Sequence, residues 1–189
     1  MTATIDRTSI NERVPSPPAR LSLTPAGSGP GLLDGAWWPR SRDLSRELPA
    51  LMDVLDACWG RITRVTVNPS HWPVIPRKVP VAGHTVHVGW FKDEQDPHKL
   101  ILLSRTAGRW DLLVIPPETG AAAAARLMSA AATPGSLLTA SALMAREAVT
   151  RDARETLNRE EEWETEGGHA SAAAGNPDPT GRLSSARGM

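Results

Sequence analysis

The side chains best suited to chemistry in this sequence are indoles and guanidiniums set close together. Trp37, Trp38, Arg40, Arg42, Trp72, Arg77, Arg109 and Trp110 all fall at strand ends or turns of the pattern read below. An indole face attracts a guanidinium through the ring quadrupole, worth about 0.5–2 kcal/mol according to burial. The set has two readings. In the first, Arg40 and Arg42 cover a Trp and pair with Asp34 or Asp43, and the cluster is structural. In the second, Trp residues floor and Arg residues rim a concave surface for an anionic ligand or a peptide segment. Neighbouring residues of a strand point to opposite faces, so Trp37 and Trp38 cannot share one side of a sheet.

Other chemistries find less support. His84 and His87 are three apart on an expected strand and so face opposite ways. His71 lies in a Pro-rich turn and His98 at a strand entrance, and these histidines read as surface or capping residues. With one Cys and no short ligand spacing, the pattern calls for no metal and no cofactor. Cys58 falls on the apolar stripe of a helix, where a thiol is usually a small core group. Gly27–Gly31 follows a strand but opens no helix and lacks a Lys, so it is not a phosphate loop. What remains for catalysis is a His (71, 84 or 87) meeting Asp34 or Asp43 in one cleft to act on an anionic substrate. No catalytic residue is assigned.

Composition narrows the setting. A chain of 189 residues suits one domain with tails, large enough to bury a core without disulfide or metal support. The single Cys excludes an internal disulfide and fits a reducing cytosol. Residues 1–19 carry charges and Pro where a signal peptide needs an apolar stretch, and no run reaches the ~18–20 apolar residues of a membrane helix. The expectation is a cytoplasmic protein without membrane contact. Zero net charge removes the strong argument for nucleic acid, which becomes the third choice. The zero hides a split: residues 1–116 carry fourteen basic and eleven acidic groups, and residues 118–189 carry seven and ten.

The elements that must position these groups follow from periodicity. Leu21 and Leu23 alternate with polar residues in a first strand over 20–25, and 36–38 is a second, after a tight turn at Asp34-Gly35. Leu44, Leu48, Leu51, Leu55 and Cys58 or Trp59 mark a helix over 43–59. Pro49 predicts either a kink or a fresh helix with Pro in its first turn. Strands follow at 63–67, 79–81 and 85–91; in the last, Val86, Val88 and Trp90 share one face. Residues 99–105 and 109–115 form a hairpin through Thr106-Ala107-Gly108, apolar at successive positions and hence central. An Ala-rich helix covers 118–132, and a charged helix with four-residue Glu/Arg spacings covers 138–166.

Gly35–Leu44 (GAWWPRSRDL), Glu47–Leu51 (ELPAL), Asn68–Pro73 (NPSHWP), Gly89–Phe91 (GWF) and Gly108–Pro117 (GRWDLLVIPP) together resemble a family of small, uncharacterised actinobacterial proteins, classed as a domain of unknown function. The resemblance covers about residues 20–132. It implies one cytoplasmic α+β domain and implies no activity, so no functional residues are carried over.

The expected fold is α+β: an antiparallel sheet of about five to seven short strands with two packed helices, a C-terminal charged helix and disordered ends. The expected domains are a leader at 1–19, the α+β domain at 20–135, a C-terminal helix at 136–166 and a tail at 167–189. The first functional reading is a non-catalytic binding or interaction module, its partner a protein or anionic small ligand. The second is the small enzyme, and the third a weak nucleic-acid binder. The small-residue seam of the last helix can dock on its own sheet, on a partner or on a second copy of the chain.

Overall fold

The structure, a computed structural model, describes residues 17–92, 96–105 and 108–167. The leader to residue 16, the link residues Thr106 and Ala107 and the tail from 168 lie outside the described residues. Seven strands, β1 (Leu21–Leu23), β2 (Gly35–Trp37), β3 (Ile62–Val67), β4 (Lys78–Val81), β5 (His84–Trp90), β6 (Lys99–Ser104) and β7 (Arg109–Val114), form one sheet in the order β1-β2-β7-β6-β3-β5-β4. Three helices accompany them: α1 (Leu44–Trp59), α2 (Ala121–Ala131) and α3 (Ala140–Gly167). The α+β class stands. The sheet is mixed, since β2 pairs with β7 and β3 with β5 in parallel while the other neighbours are antiparallel.

Neither parallel pair joins strands consecutive in the chain: β4 comes between β3 and β5, and α1 with β3 to β6 between β2 and β7, whereas the short links β4–β5 and β6–β7 force antiparallel neighbours. The β6–β7 hairpin takes the third and fourth places in the sheet, as its unbroken apolar runs require, and Leu100, Leu102, Leu112 and Leu113 are wholly buried.

Two apolar clusters lie on opposite faces of the sheet. On one face α1 presents Leu44, Leu48, Leu51, Met52 and Leu55 to Val65, Val67, Val79, Val86, Leu100, Leu102 and Leu112. On the other, Ala124, Leu127 and Ala131 of α2 and Ala140 and Leu143 of α3 pack on Ala36, Leu113 and Ile115. Ala at these helix positions brings the backbone close to the sheet at little loss of helix propensity. Trp37 and Trp38 serve opposite faces, the first in the α1 cluster and the second against the α2 cluster.

Several local expectations change. α1 runs uninterrupted through Pro49, started by the Asp43 carboxylate, which accepts the Ser45 N–H. Cys58 is exposed and not a core residue; Trp59, one position on, packs over the sheet in its place. Trp90 does not follow Val86 and Val88 inward but is 47% exposed at the end of β5. Gly35 opens β2 and does not close a tight turn. At its φ of 147° an added Cβ would lie 2.2 Å from the Ser22 carbonyl oxygen, so the close approach of β1 requires glycine. Asp34 beside it extends the contact of β2 with β7: its N–H donates to the Asp111 carbonyl at 2.8 Å and its Oδ2 accepts the Asp111 N–H.

The chain divides into two units at Val149/Thr150. In the first, Glu147 is taken by Arg126 of α2. In the second, the described side chains from Arg151 to Trp163 are exposed, and Arg151 and Glu155 form the expected four-residue pair at 3.7 Å. Among the described residues no helix is long and apolar enough to cross a membrane.

Candidate functional site

Strands β2, β3, β5 and β7 all run in one direction and β1, β4 and β6 in the other. The segments that follow the four like-directed strands therefore gather at one edge of the sheet. They are Trp38–Arg42, Asn68–Pro73, Phe91 and Lys92 with Asp96–His98, and Ile115–Glu118. Loops held by a rigid sheet are where binding and catalytic groups concentrate.

At this edge four segments converge on two histidines. The rings of His71 and His98 lie with centroids 4.6 Å apart, tilted by 48°. Arg42 donates through Nη1 to the His71 carbonyl at 3.0 Å and through Nη2 to Glu118 Oε1. Asp96 accepts the His98 N–H and both the N–H and hydroxyl of Ser141 in the first turn of α3. His71 Nε2 and His98 Nδ1 are buried with no hydrogen-bond partner among the described residues. Burial, then the neighbouring His98 and Arg42, lower the His71 pKa to about 4, against the opposing pull of Glu118 and Asp96. Burial likewise lowers that of His98, opposed by Asp96. Both shifts favour the neutral ring at pH 7, and one nitrogen of each has no hydrogen-bond partner among the described residues. The Asp96 carboxyl is held below its usual range although burial opposes this, because three donors stabilise the anion.

The second feature is the part of the sheet that α2 and α3 leave bare. Register places Lys78 beside His87, His87 beside Arg64, Arg64 beside Leu103 and Leu103 beside Arg109, a row across five strands on one face. Lys78, His87 and Arg64 are exposed. In the next row Gly89 lies beside Thr66, and a Cβ added there would meet nothing nearer than the Thr66 hydroxyl at 3.9 Å. Here glycine is required by neither backbone angle nor packing; it lies on the floor of a depression of about 460 Å³. Arg64, Arg77, Lys78, His87, Trp90 and Phe91 line it. Arg64, Arg77 and Lys78 have no acidic partner among the described residues, and Trp90 and Phe91 are 47% and 58% exposed.

The eight Trp and Arg residues singled out from sequence do not form one surface. Trp37 and Trp72 are buried and stack on each other at 5.6 Å in the α1 cluster. Trp38 lies under the guanidinium of Arg20, 3.4 Å from its ring centroid, and not under Arg40 or Arg42. Arg20 also donates to the carbonyls of Trp38 and Pro39, locking the entry to α1. Arg40 donates to the Pro18 carbonyl, and Arg42 serves the histidine edge. Trp110 stacks flat on Trp59 at 4.8 Å beside the Gly-rich 26–31 loop, and Arg109 is doubly bonded to Asp111. Arg77 alone of the eight borders the Gly89 depression. Asp34 and Asp43 are engaged with backbone N–H groups, and the carboxylates near His71 are Glu118 and Asp96.

The family described as "Family of unknown function (DUF5994)" matches residues 20–131. The chain belongs to that family. The matched stretch holds all seven strands, α1 and α2, and with them the His71, His98, Arg42 and Glu118 edge and the Gly89 depression. Searches among curated proteins and among solved structures give no match.

Sequence reasoning passed over Arg64, Lys78, Gly89, Phe91, Glu118 and the His71–His98 pairing. One signal was available: an isolated Gly within a strand otherwise rich in β-branched residues marks a place where something approaches closely.

Proposed function

We propose that this member of the family is a non-catalytic binding module, acting in the cytoplasm, whose working surface is the bare cationic half of the sheet and whose ligand is anionic. The observation that carries the reading is Gly89. A floor left open between Arg64, Arg77 and Lys78, without any demand from the fold, is what a ligand-contacting surface needs. The depression falls in the size range of ordinary ligand sites, about 300–1,000 Å³. The single Cys supports the cytoplasmic placement, and the motifs quoted above support an actinobacterial source. Calorimetric titration with inorganic polyphosphate tests the reading. Wild type is expected to bind, and the Arg64→Gln/Lys78→Gln double variant to bind at least about tenfold more weakly, a loss of about 1.4 kcal/mol. Equal affinity of the two proteins would refute it.

A second reading, a small enzyme acting on an anionic substrate, is favoured by the edge cluster. Neutral imidazoles with unengaged nitrogens beside a guanidinium suit proton abstraction next to a bound anion. Its test is turnover of phosphate and carboxylate esters by wild type and His71→Gln. Turnover lost in a variant that keeps its pH 7 melting point supports the enzyme; wild type no faster than buffer counts against it.

A further inference from the structure

The bare sheet half combines two features that a simple anion site does not need together, and their conjunction narrows the ligand. Three cations without acidic partners among the described residues, Arg64, Arg77 and Lys78, stand within one depression. At one end of it stands Phe91, in step with His87 and Gly89 along the strand and 58% exposed. A lone carboxylate or phosphate gains little from an aromatic face, whereas an unpaired base stacks on one for about 1–3 kcal/mol. A duplex keeps its bases stacked on one another and offers that face nothing. Exposed His87 stands in the row between Lys78 and Arg64, and Gly89 lets a planar group approach the backbone.

The geometry points to a short single strand of nucleic acid as the occupant: phosphates on the Lys78, Arg64 and Arg77 side, a base stacked on Phe91 over the Gly89 floor. This rests on the anion-binding reading above and narrows it. Zero net charge is no obstacle, because a bound strand responds to the local charge of this face and not to the sum over the chain. Phosphate contacts supply the affinity and its salt dependence, and stacking supplies the preference for unpaired strands.

The experiment uses the full chain and end-labelled probes of about 12 units, oligouridylate, oligothymidylate and polyglutamate, read by fluorescence anisotropy from about 50 to 200 mM salt. Three neutralised phosphates predict a slope of log K against log salt of about −2 for a single strand, falling to about −0.7 in Arg64→Gln/Lys78→Gln. Phe91→Ala is expected to weaken oligonucleotide binding about tenfold or more, with polyphosphate binding unchanged, and Trp90→Ala, on the α1 side of the strand, to bind as wild type. Gly89→Leu fills the floor and is expected to weaken the binding of oligonucleotide and polyphosphate alike; each variant is accepted only if its melting point at pH 7 matches wild type. Equal binding of both oligonucleotides supports a single strand of either sugar, and binding of oligouridylate alone supports RNA. Polyglutamate bound as tightly, or oligonucleotide binding indifferent to Phe91, overturns the inference and leaves the anion-binding reading intact. Concentration-dependent dimers lost in Arg64→Gln/Lys78→Gln, with no oligonucleotide bound, also overturn it and make the face a self-contact. If polyphosphate fails as well, both readings fall.

Discussion

Mild acid should loosen this protein through His71. In the folded chain the ring titrates near 4, and in the unfolded chain near its ordinary 6.5, because folding places it half-buried beside His98 and Arg42. Between those values the unfolded state binds more protons than the native state, so unfolding becomes easier as pH falls from about 6.5 towards 4. The gap converts to about 3.4 kcal/mol at ~1.4 kcal/mol per pH unit. The ring is partly open to water and screened by Glu118 and Asp96, so about half of that, near 1.5 kcal/mol, is the expected loss. His98, also lowered by burial, acts in the same direction. Urea denaturation at pH 7, 6, 5 and 4.5, on wild type and His71→Gln, measures it. Wild type should lose stability steadily over this window and His71→Gln distinctly less. Parallel profiles, or a wild type that gains stability on acidification, would refute the geometry that places the two rings together.

Further predictions follow from packing. Gly35→Ala sets a Cβ against the Ser22 carbonyl oxygen at 2.2 Å and should destabilise by about 3 kcal/mol or more, while Gly89→Ala should leave the melting point nearly unchanged. Comparing thermal unfolding of these two variants separates a glycine the fold needs from one it does not. The flat Trp59–Trp110 stack predicts a coupling of about 0.5–1.5 kcal/mol in a double-mutant cycle of the two alanine variants by urea unfolding. Leu48→Ala, at a wholly buried position of α1, should cost about 2–5 kcal/mol in the same assay.

Much of the architecture was legible because it follows from local patterns. Alternation marked the strands, the four-residue leucine spacing marked α1, and the apolar runs of 100–103 and 112–115 marked a central hairpin. Failures fell where tertiary context chose between local options. Pro49 sits inside a continuous helix, because the packing of Leu44, Leu48 and Leu51 outweighs one missing hydrogen bond. Cys58 lost its place to Trp59, which has far more surface to bury and finds Trp110 to stack on. Trp38 did need a guanidinium cover, but it came from Arg20, paired across β1 and β2 and not nearby in the Trp-Arg stretch.

The candidate sites were illegible for a different reason: both are products of sheet order. His71 and His98 are twenty-seven positions apart in sequence and meet only because β3 ends where β6 begins. Arg42 and Glu118 join them because β2 and β7 are parallel neighbours that finish at the same edge. On the bare face, Lys78, His87 and Arg64 belong to three strands and read separately as ordinary surface residues; one register step in β5 would send His87 to the opposite face and break the row. Composition blurred the same feature, since three cations without acidic partners among the described residues vanish in a net charge of zero. The chemistry of this chain therefore depends on strand pairing more than on any linear motif. The Trp-Pro-Arg stretch that dominates the sequence mainly builds the junction, through Arg20 over Trp38 and Trp37 on Trp72, from which that pairing starts.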